Sequence, residues 1–299
     1  MSVKPFPVHI DKGDTLFFRN AKRKVKTAPP SFKKVKKYKS FTLKQAGYKL
    51  YADNRIKIEN RVYRFHKSRE IQGAIKTVTI KRDSLGDMYI GIVCQMPANE
   101  VLLRTGKSVG YDFGLKTFLT ASDDHDVLSS EFFKQDQKRI AKLNRELSRK
   151  HKGSNHYRQA KRRLARAHKR LVDRRRDFHF KLSAHIAGEY ATICIEDLNI
   201  KAMQRLWGRT ISDLSFRYFV QALEYQCTKT GSTVVKIPRF FPSSKTCSDC
   251  GCINDTLTLK DRTWVCHECD TVHDRDRNAA HNIHRVGAST LGLETVRPV

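Results

Sequence analysis

Apolar and polar residues alternate in the first third of the chain as they do in β-strands. The alternation runs from Ile75 to Ile80 and again from Tyr89 to Val93, and the turn-forming residues 83–87 lie between the two runs. This spacing predicts a β-hairpin. Residues 50–66 alternate more loosely, and we therefore expect residues 1–108 to form a β-rich region.

After residue 108 the pattern changes to strands that alternate with helices. A helical spacing of three and four recurs over residues 132–190 and 214–228. A break at Gly153 divides the first of these stretches into two helices, with Ser154 or Asn155 as the N-cap of the second. These elements predict an α/β fold with a helical hairpin at residues 132–190. The predicted strands are 109–114, 117–120, 191–195 and 232–237.

The charge of the chain indicates a polyanionic partner. The 299 residues include 59 Lys and Arg against 30 Asp and Glu, which gives a formal net charge of +29. Residues 19–49 hold 12 basic and no acidic residues, and residues 134–181 hold 19 basic and four acidic ones. Such one-signed stretches favour phosphate binding over an ordinary solvated surface, which would mix signs. The candidate nucleic-acid-binding residues are Lys33, Lys34, Lys36, Lys37, Arg162, Arg163, Arg166, Arg170, Arg174 and Arg175.

The chain shows no pattern of a membrane or secreted protein. Its apolar runs fall short of the roughly 18 residues of a membrane span, and the N-terminus lacks the apolar core of a signal peptide. We therefore expect a cytoplasmic protein whose cysteines are reduced.

Half of the eight cysteines have the spacing of zinc ligands. Two C-x2-C pairs lie 15 residues apart, which is in the range of structural sites with four thiolates. Cys252 and His267 are rival ligands, although a symmetric four-cysteine site needs neither. We therefore predict a zinc ribbon over residues 246–270 that holds one structural Zn²⁺. Its ligands are Cys247, Cys250, Cys266 and Cys269.

Three acidic residues occupy positions where a metal-dependent nuclease would need carboxylates. Asp112 lies in a predicted strand, Glu196 follows another strand, and Asp276 lies at the start of a predicted helix. Each alone has an ordinary explanation as a turn, strand-end or helix-start acid. Together they would bind two Mg²⁺ ions about 4 Å apart, which activate water and stabilise the leaving oxygen of a phosphodiester. Because clustered like charges repel, the acids and the cations imply each other.

Four sequence blocks carry a family resemblance. They are GYDFGLKTFLTASDD, IEDLNIKAM, FPSSKTCSDCG and DRDRNAAHNI, in that order. They closely resemble the TnpB (OrfB) proteins of bacterial and archaeal insertion sequences, which are related to the type V CRISPR effectors. The resemblance extends from about residue 31 to residue 285.

This resemblance implies a RuvC-like nuclease domain of the RNase H fold, guided by RNA to a DNA target. It makes Asp112, Glu196 and Asp276 the catalytic acids, and it prefers Asp276 to Asp274 because Asp276 stands two residues before Asn-Ala-Ala. The implied partners are a guide RNA from the transposon end, target DNA, and a separate tyrosine transposase of the same element. The implied location is the nucleoid of a prokaryotic cytoplasm.

The resemblance also implies a domain order. Family members begin with a Tyr-Pro-containing strand and a helical insert, and neither is found here, so the resemblance implies an N-terminally shortened chain. The predicted segments are a partial, wedge-like β-rich region (1–108), a RuvC-like core (109–245) with a basic helical hairpin (132–190), the zinc ribbon (246–270), a last RuvC segment (271–285) and a flexible tail (286–299).

Two other hypotheses belong to different functional classes. One is a non-catalytic nucleic-acid binder, such as a repressor or a truncated relict, which the missing N-terminal block favours and the intact set of acids disfavours. The other is a transposase that joins DNA strands through a covalent tyrosine. That chemistry needs a His-apolar-His metal pair, which the sequence lacks.

Overall fold

The computed structural model describes residues 38–292, apart from residues 45, 97–102, 131, 199–204, 206–207, 209–213 and 259. The chain divides into two compact units, residues 1–98 and residues 99–299. The boundary between the two units therefore lies earlier in the chain than the predicted boundary at residue 108.

The first unit is built from two antiparallel three-stranded sheets. One has the strand order β1-β5-β6, and the other is the meander β2-β3-β4. The hairpin predicted at residues 75–93 is confirmed as β5 and β6, and its turn is held by Asp83, whose carboxylate accepts the backbone N–H groups of Leu85 and Asp87. The strands are β1 (Ser40–Lys44), β2 (Tyr48–Tyr51), β3 (Arg55–Ile58), β4 (Arg61–Arg64), β5 (Ala74–Arg82) and β6 (Met88–Gln95).

The second unit contains the predicted α/β fold. Its elements are β7 (Ser108–Phe113), β8 (Thr117–Ala121), β9 (Val127–Leu128), α1 (Phe132–Ser148), α2 (Asn155–Glu189), β10 (Thr192–Glu196), α3 (Phe216–Thr230), β11 (Thr233–Ile237), β12 (Thr263–Val265), β13 (Val272–Asp274) and α4 (Arg275–Thr290).

A mixed five-stranded sheet forms the centre of this unit. Its strand order is β11-β10-β7-β8-β9, in which β7, β10 and β11 are parallel and β8 and β9 are antiparallel to their neighbours. Apolar side chains of β7 and β10 pack on one face against α2 and α3, with Tyr111, Ile193 and Phe219 among the buried residues. Helix α4 covers the other face, where Cys194 and Ile283 are buried together. The sheet is therefore covered by helices on both faces, which explains why its central strands are apolar throughout.

Helices α1 and α2 form the predicted hairpin. Ser154 is the N-cap of α2, and its hydroxyl accepts the Tyr157 N–H at 3.0 Å, which decides between the two predicted caps. The 35 residues of α2 correspond to a length of about 52 Å. Its first half packs on α1 through a small core around Ile140 and Leu171, and its last turns pack on the central sheet. Within the described residues, no helix is long and apolar enough to cross a membrane.

Helix α4 lies unusually close to strand β7. A Cβ atom at Gly110 would lie 2.4 Å from the Ala280 carbonyl oxygen and 2.5 Å from the His284 nitrogen. Two residues earlier in the strand, the Ser108 hydroxyl lies 2.7 Å from the His284 Nε2 atom. The absence of a side chain at Gly110 therefore permits this close approach of helix and strand.

The same packing explains why the predicted tail begins too early. Helix α4 continues to Thr290, beyond the start of the predicted flexible tail at residue 286. Gly287 is buried against Cys194 of β10, where an added Cβ would lie 2.4 Å from the Cys194 sulfur. The Gly, Ser and Thr residues at this end suggested a frayed segment, but the small size of Gly287 serves helix packing instead.

Replacing Gly110 with Ala should destabilise the second unit. The added methyl group meets backbone atoms, which cannot rotate away, so we expect a loss of about 1–3 kcal/mol in the free energy of unfolding. Gly188→Ala is the matched control, because a Cβ there has no atom within 4 Å. Thermal or urea unfolding would measure both variants. Equal stability of Gly110→Ala and the wild type would show that the close approach is not required.

Candidate active site and metal centre

Two of the predicted acids lie side by side at one edge of the central sheet. Strands β7 and β10 pair in parallel up to Tyr111 and Ile195, and the next residue in each strand is Asp112 or Glu196. Because side chains alternate along a strand, Asp112 lies on the same face as Gly110. By the same alternation Glu196 lies on the face of Cys194. Both carboxylates are therefore on the face that α4 covers.

The third acid approaches this edge from helix α4. Asp276 lies in the first turn, four residues before Ala280, whose carbonyl oxygen faces Gly110, and residues four apart share one side of a helix. Since His284 lies against Ser108 and the helix backbone lies against Gly110, this side of α4 follows β7 towards Asp112. The helix begins here because the Asp274 carboxylate caps it, accepting the Arg277 N–H at 2.9 Å.

Asp112 lies within electrostatic range of the other two acids. Burial of the carboxyl group, followed by the charges of Asp276 and Glu196, raises the pKa of Asp112 to about 7. The charge of Arg275 acts in the opposite direction. Burial and the neighbouring Asp197 also raise the pKa of Glu196. A bound cation would offset the two neighbouring charges that act on Asp112, so the site gains from one.

Two arginines hold Asp276 in this arrangement. The Arg262 guanidinium, from the segment before β12, lies 3.0 Å from the Asp276 Oδ2 atom, and that of Arg275 lies 3.1 Å from Oδ1. The ligand atoms of the three acids are not all within 4.8 Å of one another. Among the described residues, those of the four cysteines are. The structure thus brings the acids to one edge, with Asp276 held by arginine.

The four predicted zinc ligands come together in a second site. The Cys247 and Cys269 sulfurs are 3.6 Å apart, and those of Cys250 and Cys266 are 3.5 Å apart. Tetrahedral Zn²⁺ with Zn–S bonds of about 2.3 Å would place its sulfurs about 3.8 Å apart. The cluster therefore has the size and ligand type that a zinc ion needs, and these residues could hold one.

Hydrogen bonds connect the cysteine cluster to helix α4. The side-chain amides of Asn278 and Asn282, both buried, donate to the Thr246 carbonyl oxygen at 2.7 and 2.6 Å. Asn278 also accepts the Ser248 N–H at 2.8 Å. The backbone of the first cysteine pair is thereby fixed to the helix that carries Asp276.

A buried histidine adds a second connection between the cluster and the helix. The His273 ring lies in β13, with its Nε2 atom 3.0 Å from the Cys247 sulfur. Its ring also packs against Trp264, with centroids 4.7 Å apart. His273 immediately precedes Asp274, the N-cap of α4, so the interactions at the sulfur cluster reach the start of this helix.

The predicted nucleic-acid-binding residues have different surroundings. Arg162, Arg163, Arg166 and Arg170 are exposed on α2. Arg174 is exposed as well, and its guanidinium contacts the Asp136 carboxylate at 3.0 Å and lies over the Phe132 ring, whereas Arg175 is partly buried. Lys33, Lys34, Lys36 and Lys37 lie outside the described residues.

Several residues that build these sites were not singled out by the sequence. Gly110 sits inside a block that was noted only for Asp112. Arg262, His273 and Asn278 act through contacts with residues that are distant in the chain or on another element. The only local signal was the run of arginines around Asp276, which places positive charge beside a predicted metal-binding acid.

Comparison with protein families gives two matches that together cover most of the second unit. Residues 91–206 match the OrfB_IS605 family, described as "Probable transposase". Residues 216–283, which include the cysteine cluster and Asp276, match the "Cas12f1-like, TNB domain" family.

Two relatives illustrate the similarity. The "Putative RNA-guided DNA endonuclease" of Streptomyces pristinaespiralis is 38% identical over 226 residues, covering 74% of this chain and 56% of the relative. "Putative RNA-guided DNA endonuclease InsQ" of Escherichia coli (strain K12) is 29% identical over 293 residues, covering 92% of this chain and 72% of the relative. The match thus spans little more than half the length of the Streptomyces protein.

A solved structure has a similar fold. The protein in the cryo-EM structure of a Cas12f1-sgRNA-target DNA complex aligns with a TM-score of 0.51 at 18% identity, covering 70% of this chain and 45% of that chain. At this identity the similarity concerns the fold.

The raised pKa of Asp112 predicts a pH dependence of stability. Its folded pKa of about 7 is above the usual value near 4. The stability that the protonated carboxyl contributes is therefore complete below about pH 4 and is lost as the pH rises through 7. We expect Asp112→Asn to be more stable than the wild type at pH 8 by on the order of 1–3 kcal/mol without added divalent cations.

Urea unfolding of both proteins between pH 4 and pH 8 would test this. Asp177→Asn is a suitable control, because Asp177 is a surface carboxylate that pairs with Lys181. If the stability difference between Asp112→Asn and the wild type is the same at both ends of the range, the carboxylates do not interact as described.

Proposed function

Because the chain belongs to the OrfB (TnpB) family of insertion-sequence proteins, we propose that it is an RNA-guided DNA endonuclease that hydrolyses phosphodiester bonds with Mg²⁺. Guide RNA and target DNA are the proposed partners. A separate tyrosine transposase of the same element and a nucleoid location in a prokaryotic cytoplasm belong to the same proposal.

One observation carries the catalytic part of this proposal. Asp112 and Glu196 follow the last paired residues of two adjacent parallel strands, and the charge of Asp276 acts on Asp112 from helix α4. Three carboxylates from three separate elements thus converge at one sheet edge. A purely structural set of acids would not be expected to gather on one face, because their mutual repulsion destabilises the fold.

The architecture around these acids supports a RuvC-like domain of the RNase H type. The central sheet is mixed, with three parallel strands next to two antiparallel ones, and helices cover both of its faces. Ligand sites of open α/β sheets commonly lie at the carboxyl ends of parallel strands. Asp112 and Glu196 occupy such a position.

The residues at this edge suit a hard divalent cation. Carboxylate oxygens are the ligands that Mg²⁺ prefers, and burial, followed by the negative charges of Asp276 and Glu196, raises the pKa of Asp112. Asp112, Glu196 and Asp276 would hold Mg²⁺. When bound, Mg²⁺ would activate water and stabilise charge on the phosphodiester.

The protein's own residues orient these acids. Strand pairing holds Asp112 and Glu196 in register, and the N-cap and the arginines Arg262 and Arg275 hold Asp276. The guanidinium groups also place positive charge beside the carboxylates, where a phosphate oxygen of the DNA would otherwise be repelled.

The basic hairpin supports the nucleic-acid part of the proposal. The exposed arginines 162, 163, 166 and 170 lie on a helix of about 52 Å, which is enough to follow roughly 15 base pairs of a duplex at 3.4 Å each. Side chains of this kind bind phosphates without reading sequence. Sequence selection would then come from the guide RNA.

Removing a carboxylate should abolish cleavage and leave nucleic-acid binding nearly unchanged. Asp112→Asn, Glu196→Gln and Asp276→Asn keep the size of each side chain and remove its charge. Because the acids act as a unit, double substitutions should reduce cleavage little more than single ones. The measurement is Mg²⁺-dependent cutting of a plasmid that matches the RNA co-purified with the protein, beside a binding titration without Mg²⁺.

Asp274→Ser is the matched control for this experiment. Asp274 is the N-cap of α4, and serine caps helices about equally well, so this variant should cleave like the wild type. A wild-type protein that never cuts DNA with its co-purified RNA would favour the alternative of a non-catalytic binder. Loss of cutting in Asp274→Ser with normal cutting in Asp276→Asn would assign the third acid to Asp274.

The hairpin arginines should set the salt dependence of binding. Replacing Arg162, Arg163, Arg166 and Arg170 with Gln should weaken RNA or DNA affinity, because fewer phosphates are neutralised. The slope of log K against log salt should fall by about 1 for each phosphate that the variant no longer binds. Arg174→Gln is the control, since Arg174 contacts Asp136 and Phe132, and it should mainly lower stability. An unchanged slope in the fourfold variant would mean that this face does not bind phosphates.

A further inference from the structure

We propose that the ribbon binds a second transition-metal ion through Cys252, His267 and Glu268, at a site separate from the four-cysteine cluster. This site is independent of the proposed nuclease activity. The ion would be of the borderline class that accepts thiolate, imidazole and carboxylate ligands together, such as Zn²⁺ or Co²⁺.

The three ligand atoms already lie close to the positions that a metal would require. The Cys252 sulfur is 3.2 Å from the His267 Nε2 atom, and that nitrogen is 3.8 Å from the Glu268 Oε1 atom. Tetrahedral coordination at about 2.3 Å to sulfur and about 2.0–2.1 Å to nitrogen and oxygen places such pairs about 3.3–3.6 Å apart. All three atoms lie within 4.8 Å of one another. The Cys252–His267 and His267–Glu268 distances differ from the tetrahedral values by a few tenths of an ångström.

The site is distinct from the four-cysteine cluster. Cys247, Cys250, Cys266 and Cys269 form one group with mutual distances below 4.8 Å, and Cys252 is not a member of that group. The first cluster is closed, since it has four sulfur ligands of its own. A fifth thiol is therefore available for other chemistry.

The backbone around both ligand segments is held in place by the cysteine turns. The Cys252 carbonyl oxygen accepts the Cys247 N–H at 2.8 Å, and Gly251 bends the chain with a φ of +82°. His267 and Glu268 lie in the second turn, which is closed by the Asp270 N–H donating to the Cys266 carbonyl oxygen at 3.0 Å. The backbone of both segments is therefore already ordered before a metal binds. Metal binding would cost little further backbone freedom.

The surroundings of the site indicate an exchangeable ion. His267 and Glu268 are exposed, and three protein ligands leave one tetrahedral position for water. Because the ligands come from the segments of both cysteine turns, an ion here would link the two turns. We expect weaker binding than at the four cysteines, since the second site has fewer thiolates and more solvent.

Metal counting and cobalt spectroscopy on the full chain test this proposal. The protein is saturated with Co²⁺, freed of excess metal and assayed for ions per chain, together with its thiolate-to-cobalt absorption. We expect two ions in the wild type and one in Cys252→Ser. We expect His267→Gln to bind the second ion at least about tenfold more weakly, because even outer-shell changes reduce affinity by that factor.

Two controls make the outcome specific. Cys94→Ser removes a half-buried thiol of the first unit and should retain two ions. Cys250→Ser should lose the tightly bound ion, which assigns that ion to the four cysteines. Retention of one ion by Cys252→Ser shows that its ribbon remains folded.

Three results would overturn the proposal. If the wild type binds a single ion, Cys252 and His267 form only a hydrogen-bonded pair. Loss of the first ion in Cys252→Ser would place Cys252 in the first site. An unchanged count of two in Cys252→Ser would place the second ion elsewhere.

Discussion

The close packing of helix α4 on strand β7 is the interaction on which the rest of the second unit depends. It is possible because Gly110 has no side chain, and Gly287 plays the same part against β10. Tight packing of this kind fixes the position of a helix along a strand, because the backbones touch directly and the fit is lost when one slides. Asp276 and Asp112 are brought within electrostatic range by this fit.

The charges at the sheet edge balance two opposing requirements. Burial, followed by the charges of Asp276 and Glu196, raises the pKa of Asp112, so that its ionised form weakens the fold above about pH 7, whereas a site for divalent cations requires the acids to be close together. Arg262 and Arg275 reduce the conflict by pairing with Asp276. The arginines of the basic hairpin have a different part, since they lie exposed along α2, where phosphates can reach them. The proposed binding and the proposed chemistry thus rest on separate groups of charges.

The sequence predicted the secondary-structure elements and the cysteine cluster better than the contacts that position them. Periodicity located the hairpin β5–β6, the helices α1 and α2 and the central strands, because local spacing reports local structure. The cysteine spacing located a real sulfur cluster, since two C-x2-C turns can aim four thiols at one point. Arg262 and Asn278 could not be found in this way, because their roles depend on where distant segments meet. The tail prediction was wrong for the same reason: the small residue Gly287 has its partner, Cys194, on another element.

The position of the cysteine cluster ties its integrity to the position of Asp276. Asn278 and Asn282 hold the backbone of the first cysteine turn, and His273 contacts the Cys247 sulfur. These residues flank Asp276, which lies between His273 and Asn278 in the chain. An ion among the sulfurs would stabilise the turn that these side chains touch, and removal of such an ion would loosen the packing on both sides of the acid. The ribbon is therefore best understood as a support for the start of α4, and not as a separate module joined to the central sheet.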